Sequence, residues 1–372
     1  MNKKYDVVII GGGSVGVPTA LSTAKRGLKV AVIESNTATG QGQNKRAIGG
    51  VRATHSSFAK IKICLDSIRI FSTWRDKYGH DIEWEQGGYV FVAYTEKDEK
   101  MLKETINIQQ KAGLNINWVT KEKIKELVPG IVDEELRGGT YSPEDGTASP
   151  ILCSYAFYDA AKKEGADFFF EETVTDIKTE NGQVKQVKTD KNVYETDFVI
   201  NAAGSEASKI GKMVGIDLPI FPDSHESGIT EPVKKFVKPL VVDMRSRPGT
   251  KNFYFYQNKH GQFILCLTPD PLIPGTDCRE TSVFLPQVAQ RITELLPRTK
   301  HLKIRRTWRG IYPMTPDGSP IVGPVNEIKG YINAVGMCGQ GFMLGPGLGE
   351  LLSRLVANEL TSDDKRIIEE LS

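Results

Sequence analysis

An α/β fold carrying an inserted, mostly antiparallel part is what this 372-residue sequence predicts, on three observations. Near its start a short apolar strand runs straight into Gly11-x-Gly13-x-x-Gly16. Near its end another strand runs into a cluster in which six of the fourteen residues 336–349 are glycine. Between the two, short runs alternate apolar and polar residues at the period of strands. Two strand-to-helix turns at opposite ends predict one discontinuous doubly wound domain, over 1–80, 141–215 and 312–372. The runs between them predict a second, α+β domain on a mostly antiparallel sheet, over 81–140 and 216–311. The length suits roughly two domains at about 150 residues each.

Residues 5–10 read as a strand buried on both faces, since Val7, Val8, Ile9 and Ile10 leave no polar side. Residues 17–26 read as a helix: Ala20 and Ala24 are small, Pro18 falls in the first turn, and Gly27 ends it. Residues 28–34 are a second strand, ending in Glu34. The polar, glycine-rich stretch 36–52 predicts a loop. Phe58, Ile61, Leu65, Ile68 and Phe71 recur at helical spacing and predict a helix over 56–77. Residues 81–94 alternate around Trp84, Tyr89 and Phe91 and predict paired strands. The charged stretch 96–129 reads as mostly helical, and 151–163 as a further helix. Strands follow near 167–178, 183–189 and 194–201, the last ending in Asn201-Ala202-Ala203-Gly204. Strand-like runs at 228–231, 252–257 and 262–267 precede a helix at about 285–296. From Tyr331 the order is strand, glycine cluster, and helix over 347–359.

Composition narrows the function. Lys plus Arg is 48 and Asp plus Glu is 46, a near balance that argues against nucleic acid as the main partner. With 39% hydrophobic and 25% charged residues the chain reads as a soluble globular protein. No apolar run approaches the ~18 residues a membrane span needs. Met1–Lys4 is basic like a signal peptide's start, but the apolar run behind it stops at three glycines, so no signal is expected. Five scattered cysteines without a CxxC predict no disulfide framework and a reducing cytoplasm. Five histidines without ligand spacing predict no metal site.

The first glycine turn carries the clearest chemistry. Gly11 permits a tight turn, Gly13 removes a side chain from the path of a pyrophosphate, and Gly16 lets helix and strand pack closely. Free N–H groups at the helix start hold phosphate charge. Glu34, 18 residues past Gly16, is placed to accept a bond from a ribose 2′-OH. Ser14, Val15 and Ser35 flank these residues and join the candidate set. The plainer alternative, a structural turn, does not explain strand, helix and acid at this spacing. The second cluster separates the two common dinucleotides. A bare backbone at a helix start suits the pyrimidine edge of a flavin, where negative charge develops on reduction. A tightly packed loop at a sheet edge is the alternative there.

These segments, together with Asn201-Ala202-Ala203-Gly204, Thr315-Pro316-Asp317-Gly318-Ser319-Pro320 and Gly339-Gln340-Gly341-Phe342-Met343, resemble the D-amino-acid-oxidase superfamily of flavoproteins from end to end. Within it the chain is most similar to glycine oxidase, the β subunit of heterotetrameric sarcosine oxidase and the β subunit of dye-linked L-proline dehydrogenase. The resemblance implies a Rossmann-like, glutathione-reductase-type FAD-binding domain with an α+β substrate-binding domain. It implies oxidation of an amine C–H beside a carboxylate, by hydride transfer to FAD and release of an imine that water hydrolyses. Gly11, Gly13, Gly16 and Glu34 would then hold the ADP half. Lys45, Arg46, Gly49 and Gly50 would lie beside the pyrophosphate and flavin. Val174 would meet the adenine, Ala203 and Gly204 the pyrophosphate, and Gly310, Gly336, Gly339, Gly341, Phe342 and Met343 the isoalloxazine.

The departures from the family pattern are informative. Gly310 stands where monomeric sarcosine oxidases tether FAD through a cysteine. Lys45 or Arg46 stands where dimethylglycine-dehydrogenase relatives use a histidine, so FAD is expected to be non-covalent. Pro150 matches the histidine that carries a covalent FMN in sarcosine oxidase β subunits, so covalent FMN is not expected. Tyr312 replaces the arginine with which glycine oxidase binds the substrate carboxylate, and Met343 replaces a lysine of some sarcosine oxidases.

The substrate clamp must therefore come from elsewhere. Arg52, directly after the flavin-facing loop, is the first candidate, against a surface or structural role. Tyr254 and Tyr256 alternate on one strand, face one side and are candidates to line the substrate face. Tyr312 is a candidate hydrogen-bond donor to the substrate, and His55 a candidate tuner of amine protonation, for which a satisfied loop histidine is the plainer reading. Arg309, Cys338 and His225 read as structural. The leading function is FAD-dependent oxidation of glycine, sarcosine, proline or hydroxyproline, with α or γ subunits of a hetero-oligomer passing electrons onward. A FAD-binding electron-transfer subunit without a competent pocket, and a 2-hydroxy-acid dehydrogenase, are the alternatives. An NAD-only dehydrogenase would leave the 336–349 cluster without a role.

Overall fold

The computed structural model describes residues 3–372. Met1 and Asn2, half of the basic start, lie outside the described residues. The organising element is a six-stranded sheet in the order Ile321–Pro324, Tyr331–Val335, Phe198–Asn201, Val7–Ile10, Val30–Ile33, Asp167–Phe169. All neighbours in it are parallel except the first pair. Its central strands are buried on both faces, as their unbroken β-branched runs predict. Val7, Ile9, Val30 and Val32 pack on one side, in one core with residues of the helices Gly16–Ala24, Phe58–Tyr78 and Gly341–Val356. Val8, Ile10, Ala31 and Ile33 pack on the other, in a core with Ile177, Val187 and Tyr194 of the four-stranded sheet that covers that face.

A second, eight-stranded sheet runs Ile304–Met314, Phe221–Thr230, Phe263–Pro269, Thr250–Gln257, Leu240–Asp243, Tyr89–Ala93, Gly138–Ser142, Asn117–Val119. Only the pairing of Leu240–Asp243 with Tyr89–Ala93 is parallel. One face carries Val90, Val241, Phe253, Phe255 and Phe263, in a core with Phe284 and Val288 of helix Phe284–Leu295. The opposite face carries Tyr89, Val242, Tyr254, Tyr256 and Trp308.

Several elements depart from the sequence-based expectation. The stretch 81–94 yields one strand, Tyr89–Ala93, and Glu85 makes only an isolated bridge to Thr147. The stretch 96–129 contains helices Glu96–Lys111 and Lys121–Leu127 with a strand between them. The 11-residue strand Ile304–Met314 was not expected, because three arginines and a proline break its apolar pattern. It is an edge strand, the one position where Pro313 withholds no ladder bond. The terminal helix Ser362–Leu371 was also not expected; Thr361 and Asp364 close a capping box at its start.

The largest departure is at the second glycine cluster. The helix begins at Gly341, not at 347, and takes Gly345, Pro346, Gly347 and Gly349 into its body. A Cβ on Gly345 would lie 1.8 Å from the Ser14 carbonyl oxygen, and one on Gly347 would lie 2.0 Å from that of Ile63. These glycines let three helices touch backbone to backbone. Pro346 is accommodated by Ser67 of the neighbouring helix, whose hydroxyl donates to the Leu344 carbonyl (3.4 Å) and accepts from the Gly347 N–H (2.9 Å).

Candidate active site

A cavity of about 700 Å³ runs between the two sheets, from Glu34 and Val174 to Tyr254 and Tyr312. Gly11 forms its floor at φ +108°, where a Cβ would come within 2.5 Å of the Ala202 carbonyl oxygen. Above Gly13 there is open space, and a Cβ would meet nothing within 4 Å. No side chain caps the start of helix Gly16–Ala24; Val17 and Thr19 donate to the Gly13 and Val15 carbonyls and Pro18 has no N–H, which leaves the Gly16 N–H for an anion. The Glu34 carboxylate is buried; Oε2 accepts from Gly12 N–H (2.8 Å) and Oε1 from Asn36 N–H (2.8 Å). Elongated shape, bare glycine floor and terminal carboxylate suit a dinucleotide.

Of the predicted cofactor residues, Ser14, Val15, Ser35, Arg46, Gly49, Gly50, Ala203, Gly204, Gly310, Gly336, Gly339, Gly341, Phe342 and Met343 line this cavity as well. Two do not. Gly16 lies beneath it, where a Cβ would overlap the Gly11 carbonyl oxygen. Lys45 faces a second cavity of about 530 Å³ on the far side of the segment Arg46–Ile48, which lines both. The Trp308 indole N–H pins that segment by donating to the Arg46 carbonyl (2.8 Å). Loop residue Gln43 secures it too, accepting the Ile311 N–H (2.9 Å).

The other end of the cavity is walled by the second sheet. Arg52 projects there, with Cζ 5.6 Å from the Phe91 ring centre. One guanidinium nitrogen donates to the Thr54 carbonyl and lies 3.4 Å from His55 Nδ1. Among the described residues no carboxylate forms an ion pair with Arg52. His55 does not line the cavity. It is buried behind Arg52, with Nε2 3.5 Å from Cys64 Sγ. Burial and then the Arg52 charge push it well below its usual range, so it stands as a neutral support. Asp145 is fully buried alongside, and Oδ1 accepts the Ala53 N–H (3.1 Å). Burial raises its carboxyl to about 7, against the pull of that bond and of Arg52.

Tyr254 and Tyr312 meet at the wall, their hydroxyls 3.3 Å apart. Burial raises both phenols, Tyr312 to about 12, so both are neutral donors at pH 7. Tyr256 shares the face of Tyr254, as alternation predicts, yet it opens onto the second cavity. The segment Arg46–Ile48 crosses between them, and the Tyr256 hydroxyl donates to Ile48 O (2.5 Å). Sequence reasoning missed three wall residues. His225 lines the cavity, stacked on Tyr312 at 3.8 Å, and its Nε2 is 2.8 Å from Asp223 Oδ2. Burial alone would raise Asp223, but the bonds from His225 and from the Ile273 and Ser224 amides hold it below the usual range. Asn252 and Thr268 line the same wall. The signal for Asn252 was present in its spacing, two residues from Tyr254 on one strand.

The family described as FAD dependent oxidoreductase matches residues 6–355. Glycine oxidase of Geobacillus kaustophilus is 28% identical, covering 98% of this chain and 96% of its own. The hydrogen cyanide synthase subunit HcnC of Pseudomonas protegens is 25% identical, covering 96% and 94%. The crystal structure of L-proline dehydrogenase from P. horikoshii superposes with a TM-score of 0.91 at 34% identity, covering 97% of this chain and 96% of that one.

Proposed function

The chain belongs to the DAO family of FAD-dependent oxidoreductases, and on that footing we propose that it oxidises a small α-amino acid or secondary amine of the proline, sarcosine, glycine or hydroxyproline type. The observation that carries this reading is Arg52. It is a half-buried guanidinium in the cavity without a carboxylate partner. A cation so placed calls for an anionic ligand, and a substrate carboxylate supplies one in fork geometry.

FAD, when bound, supplies a two-electron acceptor for the α C–H. Gly11, Gly13 and Glu34 would hold its ADP half and Gly339–Met343 its ring end. The remaining work falls to side chains of the wall. Arg52 binds and orients the carboxylate. The neutral Tyr254 and Tyr312 hydroxyls share one hydrogen bond, which leaves one proton to donate beside the carboxylate without adding charge. Phe91 and Val242 keep the pocket apolar, which favours the neutral amine that the reaction requires. The product imine is hydrolysed by water.

Anaerobic addition of each of the four amines to the yellow protein tests the reading, with bleaching by at least one expected. Bleaching by L-2-hydroxyglutarate or glycerol 3-phosphate, and by no amine, would sink it.

Electrons leave, on this proposal, through a partner subunit. Ile151, Leu152 and Tyr155 support it: they are 66%, 39% and 59% exposed on one helix, and Ile151 borders the second cavity. The name of the HcnC relative, a synthase subunit, is in keeping with an assembly. The scattered free cysteines support a cytoplasmic location.

A further inference from the structure

Glu172 is a buried carboxylate with no part in binding or oxidising the amine. It precedes the strand Val174–Glu180, is 3% exposed, and lines the first cavity together with Glu34. Its N–H donates to the Glu34 carbonyl (3.1 Å), which sets the two acids side by side. Three donors converge on one of its oxygens. The hydroxyls of Thr189 (2.5 Å) and Tyr194 (2.7 Å) and the side-chain amide of Asn192 (3.0 Å) all bond Oε1. Thr189 and Tyr194 lie on neighbouring strands of the four-stranded sheet, so a rigid element holds the carboxylate. Burial, and then the bond to Glu172, raise the Tyr194 phenol, as befits a donor that keeps its proton.

The second oxygen is unmet. Among the described residues Oε2 has no hydrogen-bond partner and no cation pairs with Glu172, yet the atom is open rather than sealed in the core. A carboxylate accepts on both oxygens, and a buried one left half met favours a ligand that brings a donor. The ADP half of FAD has few donors to bring. Its phosphates only accept. Its ribose hydroxyls fall to Glu34 on the assignment proposed for that residue. The 6-amino group of adenine remains, with two N–H donors and no lone pair to offer.

We propose that Glu172 is the residue by which this protein selects adenine, its Oε2 accepting a hydrogen bond from the 6-amino group of FAD. The selection works by attraction and by repulsion. The bond to the amine is charge-assisted, and a 6-oxo purine sets an acceptor against the carboxylate in its place. A site built to bond an N–H discriminates against the analogue lacking it. The three donors on Oε1 keep the carboxylate from turning away.

The test is dinucleotide exchange, with no substrate present. The yellow full-length protein is equilibrated with FAD and its hypoxanthine analogue, in which oxygen replaces the 6-amino group, and the two dinucleotides retained are separated and counted. The unsubstituted protein is expected to prefer FAD about ten-fold or more. Glu172→Gln keeps a carbonyl for the three donors and turns an amide N–H2 toward the cavity, so the preference is expected to fall to one or to invert. Glu172→Asp keeps the charge but draws it back from the amine, and a smaller loss of preference is expected. It decides should Glu172→Gln fail to fold. Equal retention of the two dinucleotides by the unsubstituted protein would overturn the proposal. A preference unchanged in the variants, with both affinities lowered alike, would also overturn it, by reducing Glu172 to a structural role.

Discussion

Arg52 owes its chemistry to what is missing around it. Its neighbours are a carbonyl, a neutral imidazole and an aromatic ring, none of which neutralises the charge. Replacing it by glutamine is expected to raise KM for a carboxylate substrate about a hundred-fold, with a smaller fall in kcat, read by steady-state and stopped-flow kinetics. Arg52→Lys keeps the charge but loses the planar fork, and an intermediate KM is expected. Asp145 behind it gives a pH prediction. Its carboxyl is raised from 3.8 to about 7 in the fold, so the protonated form is the one that the fold favours. Its contribution to stability is fully present below about pH 4 and is lost as pH rises through 7. Asp145→Asn keeps an acceptor for the Ala53 N–H and is expected to flatten that part of the stability profile. Thermal melts at pH 5 and pH 8 read it, and an unchanged pH dependence would remove Asp145 as the cause. Arg52 itself was legible in the sequence from its place after the Gly49-Gly50 loop. The structure packs His55 behind Arg52 and outside the cavity, because three residues of separation do not say which side chain faces a cavity and which is packed behind it.

At the scale of elements, the helix Gly341–Val356 ties the fold to the site. It crosses the helices Gly16–Ala24 and Phe58–Tyr78 so closely that backbone carbonyls occupy the space of its missing side chains. Gly347→Ala is therefore expected to force two helices apart and to abolish stable folding or flavin retention, judged by yield and visible absorbance. Ser67→Ala is a milder probe. It leaves the Gly347 N–H and the Leu344 carbonyl without their bridging hydroxyl, and a loss of about 1–3 kcal/mol is expected from denaturant melts. In the sequence these glycines look like an open turn. Composition alone cannot distinguish glycine that exposes backbone to a ligand from glycine that admits a neighbouring helix. The edge strand Ile304–Met314 was illegible for a different reason. Its charged first half, Gly310 and Pro313 break the alternation of a strand, so only the pairing with Phe221–Thr230 reveals it as one.

Across the whole molecule, one cavity is lined by residues from Ile10 to Met343, and both sheets contribute to it. A cofactor that bridges them stabilises the fold by mass action, so saturating FAD at about 100 times its Kd is expected to add about 2.7 kcal/mol. The melting temperature is then expected to rise by a few degrees over the flavin-free protein, and a melt unmoved by added FAD would contradict this. The boundaries 1–80, 141–215 and 312–372 against 81–140 and 216–311 remain a proposal, which limited proteolysis of the flavin-free protein tests. The sequence by itself determined the nucleotide half of this protein. A β-branched strand, three glycines, a helix and an acid are local in the chain, and local geometry follows from short-range sterics and hydrogen bonding. The opposite wall of the cavity was set only by the tertiary structure. Arg52, Asn252, Thr268, His225 and Tyr312 come from five segments, and the last four reach one wall only through the pairing of their strands in the eight-stranded sheet. The crossing of Arg46–Ile48, absent from any sequence pattern, decides that Tyr254 lines the first cavity and Tyr256 the second.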